Sequence, residues 1–140
     1  MMVMVHFCIF ILLLLNSFLD LKKQEISLWS LAVFGILGVF LNVWISYQSI
    51  WEVAGGIGVG IFLLMVAFLT KEAVGFGDGL LLCVTGIYLG FWENVSFFFI
   101  GLLLCALLAL VCLLFHKRQL SDRFPLVPFL LLGWIGRMIW

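Results

Sequence analysis

The sequence predicts an all-α, polytopic membrane protein, a bundle of about six transmembrane helices. Two observations carry that prediction. Of the 140 residues, 66% are hydrophobic and only 10% are charged, whereas a soluble domain averages roughly 45–50% apolar and about 25% charged. That excess is too large for an internal core, so lipid must cover the outside. The apolar residues also fall into six stretches, each near the ~20 residues that cross a ~30 Å hydrocarbon core as a helix.

The stretches are Val3–Leu19, Leu28–Ser46, Val53–Thr70, Ala73–Trp92, Val95–Phe115 and Pro125–Trp140. Only short polar joints separate them, so residues 1–140 read as a single transmembrane domain without an internal repeat. The first stretch has no basic segment before it and no small-residue cleavage site after it, which reads as a retained helix rather than a signal peptide. Gly56 and Gly60 form a G-x-x-x-G in the third stretch. Small residues at that spacing suit close helix packing, inside the bundle or with another copy of the chain in a homo-oligomer.

The charges sort over this map. Lys22 and Lys23 lie between spans 1 and 2, Lys71 between 3 and 4, and Lys117, Arg118 and Arg123 between 5 and 6. These joints share one side. The opposite joints, 47–52 and 93–94, carry only Glu52 and Glu93, and Arg137 alone breaks the pattern. Basic loops face the cytoplasm, so both termini are expected outside. Trp29, Trp51, Trp92 and Trp140 fall near span ends, where interfacial aromatics collect.

Some function classes are excluded. The formal net charge is zero, which leaves no basic field for nucleic acid. Cys8, Cys83, Cys105 and Cys112 lie in apolar runs without a C-x-x-C and read as small buried hydrophobes. His6 sits at an outer helix end, and His116 heads a basic joint. No Ser-His-Asp set, H-E-x-x-H or P-loop is present. No metal or cofactor is expected.

Carboxylates near hydrocarbon are costly and need a reason. Glu52 and Glu93 are explained by solvation in outer joints, and Glu25, Glu72 and Asp122 lie beside basic residues. Two aspartates differ. Asp20 directly follows the first apolar run. Asp78 lies in Gly75-Phe76-Gly77-Asp78-Gly79. The apolar run after it, Leu80–Trp92, would rise only about 20 Å, so span 4 must begin before Asp78 or lie in thinned bilayer. The surrounding glycines permit sharp turns and close approach, and they weaken a helix, so irregular backbone is expected there. Asp20 and Asp78 fall on the same side. Two facing carboxylates do not ionise together easily. One keeps a proton and the other does not, and such a pair can activate a water and protonate a leaving amine.

The segment Asp20-Leu21-Lys22-Lys23-Gln24-Glu25-Ile26-Ser27 resembles the first aspartate motif of the type IV prepilin peptidases. Glu72-Ala73-Val74-Gly75-Phe76-Gly77-Asp78 resembles their second, G-x-G-D motif, and Pro125-Leu126-Val127-Pro128 with Gly133 resembles their C-terminal proline segment. The resemblance implies a membrane aspartic endopeptidase. It would cut the short basic leader from a pilin-like precursor, one hydrophobic helix docked beside the bundle at the cytoplasmic face of a prokaryotic inner membrane. Type IV pilus assembly or protein secretion would be served. Asp20 and Asp78 would be the catalytic pair, and Gly75 and Gly77 would shape the loop that presents Asp78. The larger relatives carry an N-terminal region linked to methylation of the product. This chain starts at span 1, which implies a peptidase-only form. Two positions depart from the pattern. Ser27 stands where the family usually has Pro, and Leu80 stands where a Lys usually follows the motif. Two other readings stay open: a carboxylate-based ion or proton transport subunit, and a catalytically degenerate assembly factor of the same fold.

Overall fold

The computed structural model describes residues 2–23, 25–71, 75–115 and 125–139. Glu72, Ala73, Val74, His116, Lys117, Arg118, Asp122, Arg123 and Trp140 lie outside the described residues. Among those described there are five helices and no strand: α1 (Met2–Lys23), α2 (Leu28–Ile45), α3 (Ile50–Leu69), α4 (Phe76–Leu114) and α5 (Val127–Ile139). The first four are long and apolar enough to cross a membrane, and the chain is a multi-pass membrane protein.

The count is five elements rather than six because spans 4 and 5 of the sequence map run on as one element of 39 residues, two helices meeting at a kink. No loop interrupts α4 at the expected joint, 93–94. It is broken instead at Gly90, whose φ of 74° and ψ of −173° lie outside helical space. The chain doubles back there. The Asn94 side-chain amide donates to the Leu82 carbonyl at 3.0 Å, and twelve residues of straight helix would hold those positions about 18 Å apart. The last carbonyls before the break would be left without helical partners. Side chains supply them: Asn42 Nδ2 donates to the Ile87 carbonyl, and Tyr47 Oη and Gln48 Nε2 donate to that of Tyr88.

Helix α1 buries one stripe, Val5, Ile9, Leu12, Leu13, Asn16 and Asp20, at the three- and four-residue spacing of one helical face. In α4, Leu81, Leu82, Thr85, Tyr88 and Leu89 make the matching stripe, and in α5 Val127, Leu130 and Trp134 do so. Lipid-facing residues such as Phe18, Val43, Phe68 and Leu103 remain exposed, as expected where the solvent is hydrocarbon.

The Gly56/Gly60 stripe packs inside the bundle. A Cβ on Gly56 would run into the Gly86 carbonyl, and one on Gly60 into the backbone of Cys83, so α3 and α4 touch backbone to backbone. Asn94 locks this contact, donating to the Gly56 carbonyl at 3.0 Å while its own oxygen accepts from Thr85 Oγ1 at 2.8 Å. Helix α5 lies against the second half of α4, where Gly101 makes room for Leu130 and Gly133 makes room for Ile100. Trp134 meets Phe97 edge to face.

Candidate functional site

Three helix ends meet at one end of the bundle: the last turns of α1 and the first turns of α4 and α5. Asp20 is not at the terminus of its helix, because α1 continues to Lys23. The extra turn is sustained by Lys22 and Lys23, whose charges favour a helix C-terminus. Asp20 therefore stays on the core stripe, 7% exposed. Its Oδ2 accepts a hydrogen bond from the Val127 backbone N–H at 3.2 Å. Val127 opens α5, and its N–H is one of the donors a helix start leaves unpaired. Pro128 follows in the first turn, where a missing N–H does no harm. Asp20 thus acts as an N-terminal cap supplied from another helix.

Asp78 is the third residue of α4. The expected irregularity is absent from Phe76 onward: Gly77, Asp78 and Gly79 are helical, held because Gly75 starts the helix and its carbonyl accepts the Asp78 N–H at 3.1 Å. From Phe76 to the break at Gly90 the helix rises only about 21 Å, shorter than the hydrocarbon core. Asp78 is half-buried.

Both motif glycines border this carboxylate. A Cβ on Gly75 would stand 2.7 Å from Asp78 Oδ2, and one on Gly77 would stand 3.0 Å from Cδ1 of Ile26. The α1–α2 joint therefore presses directly on the turn that carries Asp78. Leu80, at the position of the expected lysine, is half-buried against the core together with Ile26.

The α1–α2 joint is itself fastened. Asn16, fully buried, donates to the Leu12 carbonyl and to Ser30 Oγ, each at 2.9 Å. Its oxygen accepts the Ser27 N–H at 3.2 Å. Ser27 caps α2 through its side chain. The departure from proline is thus used twice, as a cap and as a donor that proline lacks.

Asp20 and Asp78 lie within electrostatic reach of each other, and Cys105 lies within reach of both. Cys105 is a neighbour that a linear reading misses, since it reaches this end only after the reversal at Gly90. Asp78 lies in the first turn of α4 and Asp20 caps the first turn of α5, and a helix N-terminus favours negative charge. Among the described residues no group of three or more metal-ligating side chains is present. The described basic residues of this end, Lys22, Lys23 and Lys71, are exposed. At the far end Arg137 pairs with Glu93 at 3.4 Å, which accounts for the one cation on the acidic side.

A buried carboxylate, a second half-buried one within its electrostatic reach and a glycine-lined turn share this end of the bundle. No curated protein and no solved structure matches the chain. The sequence model of the type IV leader peptidase family matches residues 7–110, taking in Asn16, Asp20, Gly75, Asp78 and Cys105. With most of its length and both aspartates inside that match, the chain belongs to the type IV leader peptidase family.

Proposed function

We propose that this protein is an aspartic endopeptidase whose catalytic pair is Asp20 and Asp78. It removes the basic leader of a pilin-like precursor at the cytoplasmic face of the plasma membrane. The observation that carries the reading is the convergence of two acids, one on α1 and one on α4, at the same end of the bundle. Membership of a leader peptidase family supports the reaction class, and the exposed lysines around that end support the cytoplasmic face.

The chemistry needs no cofactor. One carboxylate accepts a proton from a water, and the water oxygen adds to the scissile carbonyl carbon. The other, protonated, carboxyl hydrogen-bonds the carbonyl oxygen as it gains charge. Collapse of the tetrahedral intermediate breaks the C–N bond, and a carboxyl proton goes to the departing amine. The Val127 N–H fixes the orientation of the Asp20 carboxylate. The precursor helix lies in lipid beside the bundle, with its scissile peptide at the depth of the carboxylates.

The test is cleavage of a precursor with a short basic leader in membranes containing the protein. Asp20→Asn and Asp78→Asn should each lower turnover at least about 100-fold, the upper part of what general acid–base groups contribute. The amide oxygen introduced by Asp20→Asn would still accept from the Val127 N–H and keep α5 capped, so the loss of activity in that variant would not be a loss of fold. Turnover retained in either variant would reject the dyad. Leu80 favours a second reading, an assembly factor without catalysis. That reading predicts no cleavage by the unaltered protein and normal assembly with both aspartates replaced.

A further inference from the structure

At the end opposite the two aspartates the helices enclose a cavity of about 440 Å³, within the ~300–1,000 Å³ range of small-molecule sites. It lies between the start of α1, the α2–α3 joint, the Gly90 reversal and the last turns of α5. Two of its lining side chains carry buried polar atoms without a hydrogen-bond partner, Gln48 Oε1 and Trp134 Nε1. Neither can be relieved by a simple rearrangement. The Gln48 amide nitrogen is committed to the Tyr88 carbonyl, which fixes Oε1 as the open acceptor. Trp134, 2% exposed, is wedged against Phe97 and His6, which fixes its N–H as the open donor. Buried groups left in that state are costly, and in folded proteins they are usually satisfied.

Charge of both signs lines the same cavity. Glu52, whose Oε2 accepts the Ser49 N–H, adjoins Gln48 across the face of Gly90, and Arg137 lies on the α5 side with Trp134, paired with Glu93, which lines the cavity too. The side holding Gln48 and Glu52 offers acceptors to a cationic donor, and on the other side an anion would accept from Trp134 and share Arg137 with Glu93. Exposed Trp92 and Met138 border the cavity, so an occupant can continue into an apolar surrounding. We propose that this cavity is a binding site for an aminophospholipid, with the headgroup ammonium on Glu52 and Gln48 Oε1 and the phosphate on Arg137 and the Trp134 N–H. A primary ammonium is specified because a quaternary one has no N–H for Gln48.

The test is native mass spectrometry of the full chain released from nanodiscs holding equal phosphatidylethanolamine and phosphatidylcholine, with a phosphatidylglycerol series alongside. The unaltered protein should retain phosphatidylethanolamine over phosphatidylcholine about tenfold, the worth of one hydrogen bond to a charged group. Glu52→Gln and Gln48→Met should each bring that ratio towards one. Arg137→Gln should weaken retention of all three lipids. Thermal melts of each variant separate loss of the site from loss of the fold. A ratio near one in the unaltered protein, or a tenfold ratio kept in both Glu52→Gln and Gln48→Met, overturns the proposal. A ratio near one in the unaltered protein together with a raised KM for precursor in these variants would give the cavity to the polypeptide substrate instead.

Discussion

Ser27 shows how one substitution against a family pattern is absorbed. Its φ of −72° is one that proline can adopt, so proline would fit the backbone here. It would nevertheless remove the Oγ cap of α2, worth about 1 kcal/mol, and the N–H that serves Asn16, worth about another 1 kcal/mol. Stiffening of the unfolded chain would return only ~0.4–1 kcal/mol. Ser27→Pro is therefore expected to lower stability by about 1 kcal/mol in detergent melts. The loss should shrink when Asn16 is already replaced by leucine, a coupling that a double-mutant cycle reads directly. Gly77 poses the opposite balance. Alanine there gains up to about 1 kcal/mol of helix propensity but meets Ile26 at 3.0–3.2 Å. Gly77→Ala should leave the melt nearly unchanged, within about 1 kcal/mol. It should lower precursor cleavage about tenfold, since a small misplacement of a reacting group is costly. Ile26→Ala should restore much of that loss. Gly77→Ala at full activity would separate the joint from the Asp78 turn.

At the scale of the element, Gly90 decides the fold of α4. Its φ and ψ lie in a region essentially restricted to glycine, and the Gln48 and Glu52 side chains lie within 3.2–3.4 Å of where a Cβ would be. Gly90→Ala should cost about 1–3 kcal/mol from the backbone alone. Gly136→Ala, with nothing within 4 Å of its added methyl, should be neutral or stabilising. Thermal melts of the pair check the contrast, and equal melts would mean that the reversal is not held by Gly90. This element also shows what hydropathy can and cannot reveal. The two apolar runs of α4 were legible from their composition, and the shortness of the run after Asp78 from its length against bilayer thickness. The point of reversal was not, because a one-residue turn leaves no polar joint to mark it. Glu93 and Asn94, which looked like a loop, instead lie in helix, Asn94 bonded to Gly56 and Leu82. The role of Asp20 as the cap of α5 was equally out of reach, since it joins residues 107 positions apart through a backbone atom that no side-chain pattern reports.

Over the whole molecule the two ends differ in charge and in chemistry. Asp20, Asp78 and the exposed Lys22, Lys23 and Lys71 share one end, while Glu52, Glu93 and the cavity they line share the other. The same alternation of joints that the sequence displays thus places the acids and the described basic residues together. The leader of a precursor is reached from the cytoplasm, so the lysine end must face inward for the proposed reaction to occur. In a background with Cys8, Cys83, Cys105 and Cys112 changed to alanine, single cysteines report the orientation. Ser49→Cys, at the exposed start of α3, should react with a membrane-impermeant maleimide in intact cells. Lys22→Cys and Lys71→Cys should react only after permeabilisation. Arg137 is the sole described cation on the acidic side, one charge against Lys22, Lys23 and Lys71 on the other. Arg137→Gln should therefore leave the labelling pattern as it was. Labelling of positions 22 and 71 in intact cells would put both aspartates on the outer face, away from any uncleaved leader, and the peptidase assignment would fail with the orientation.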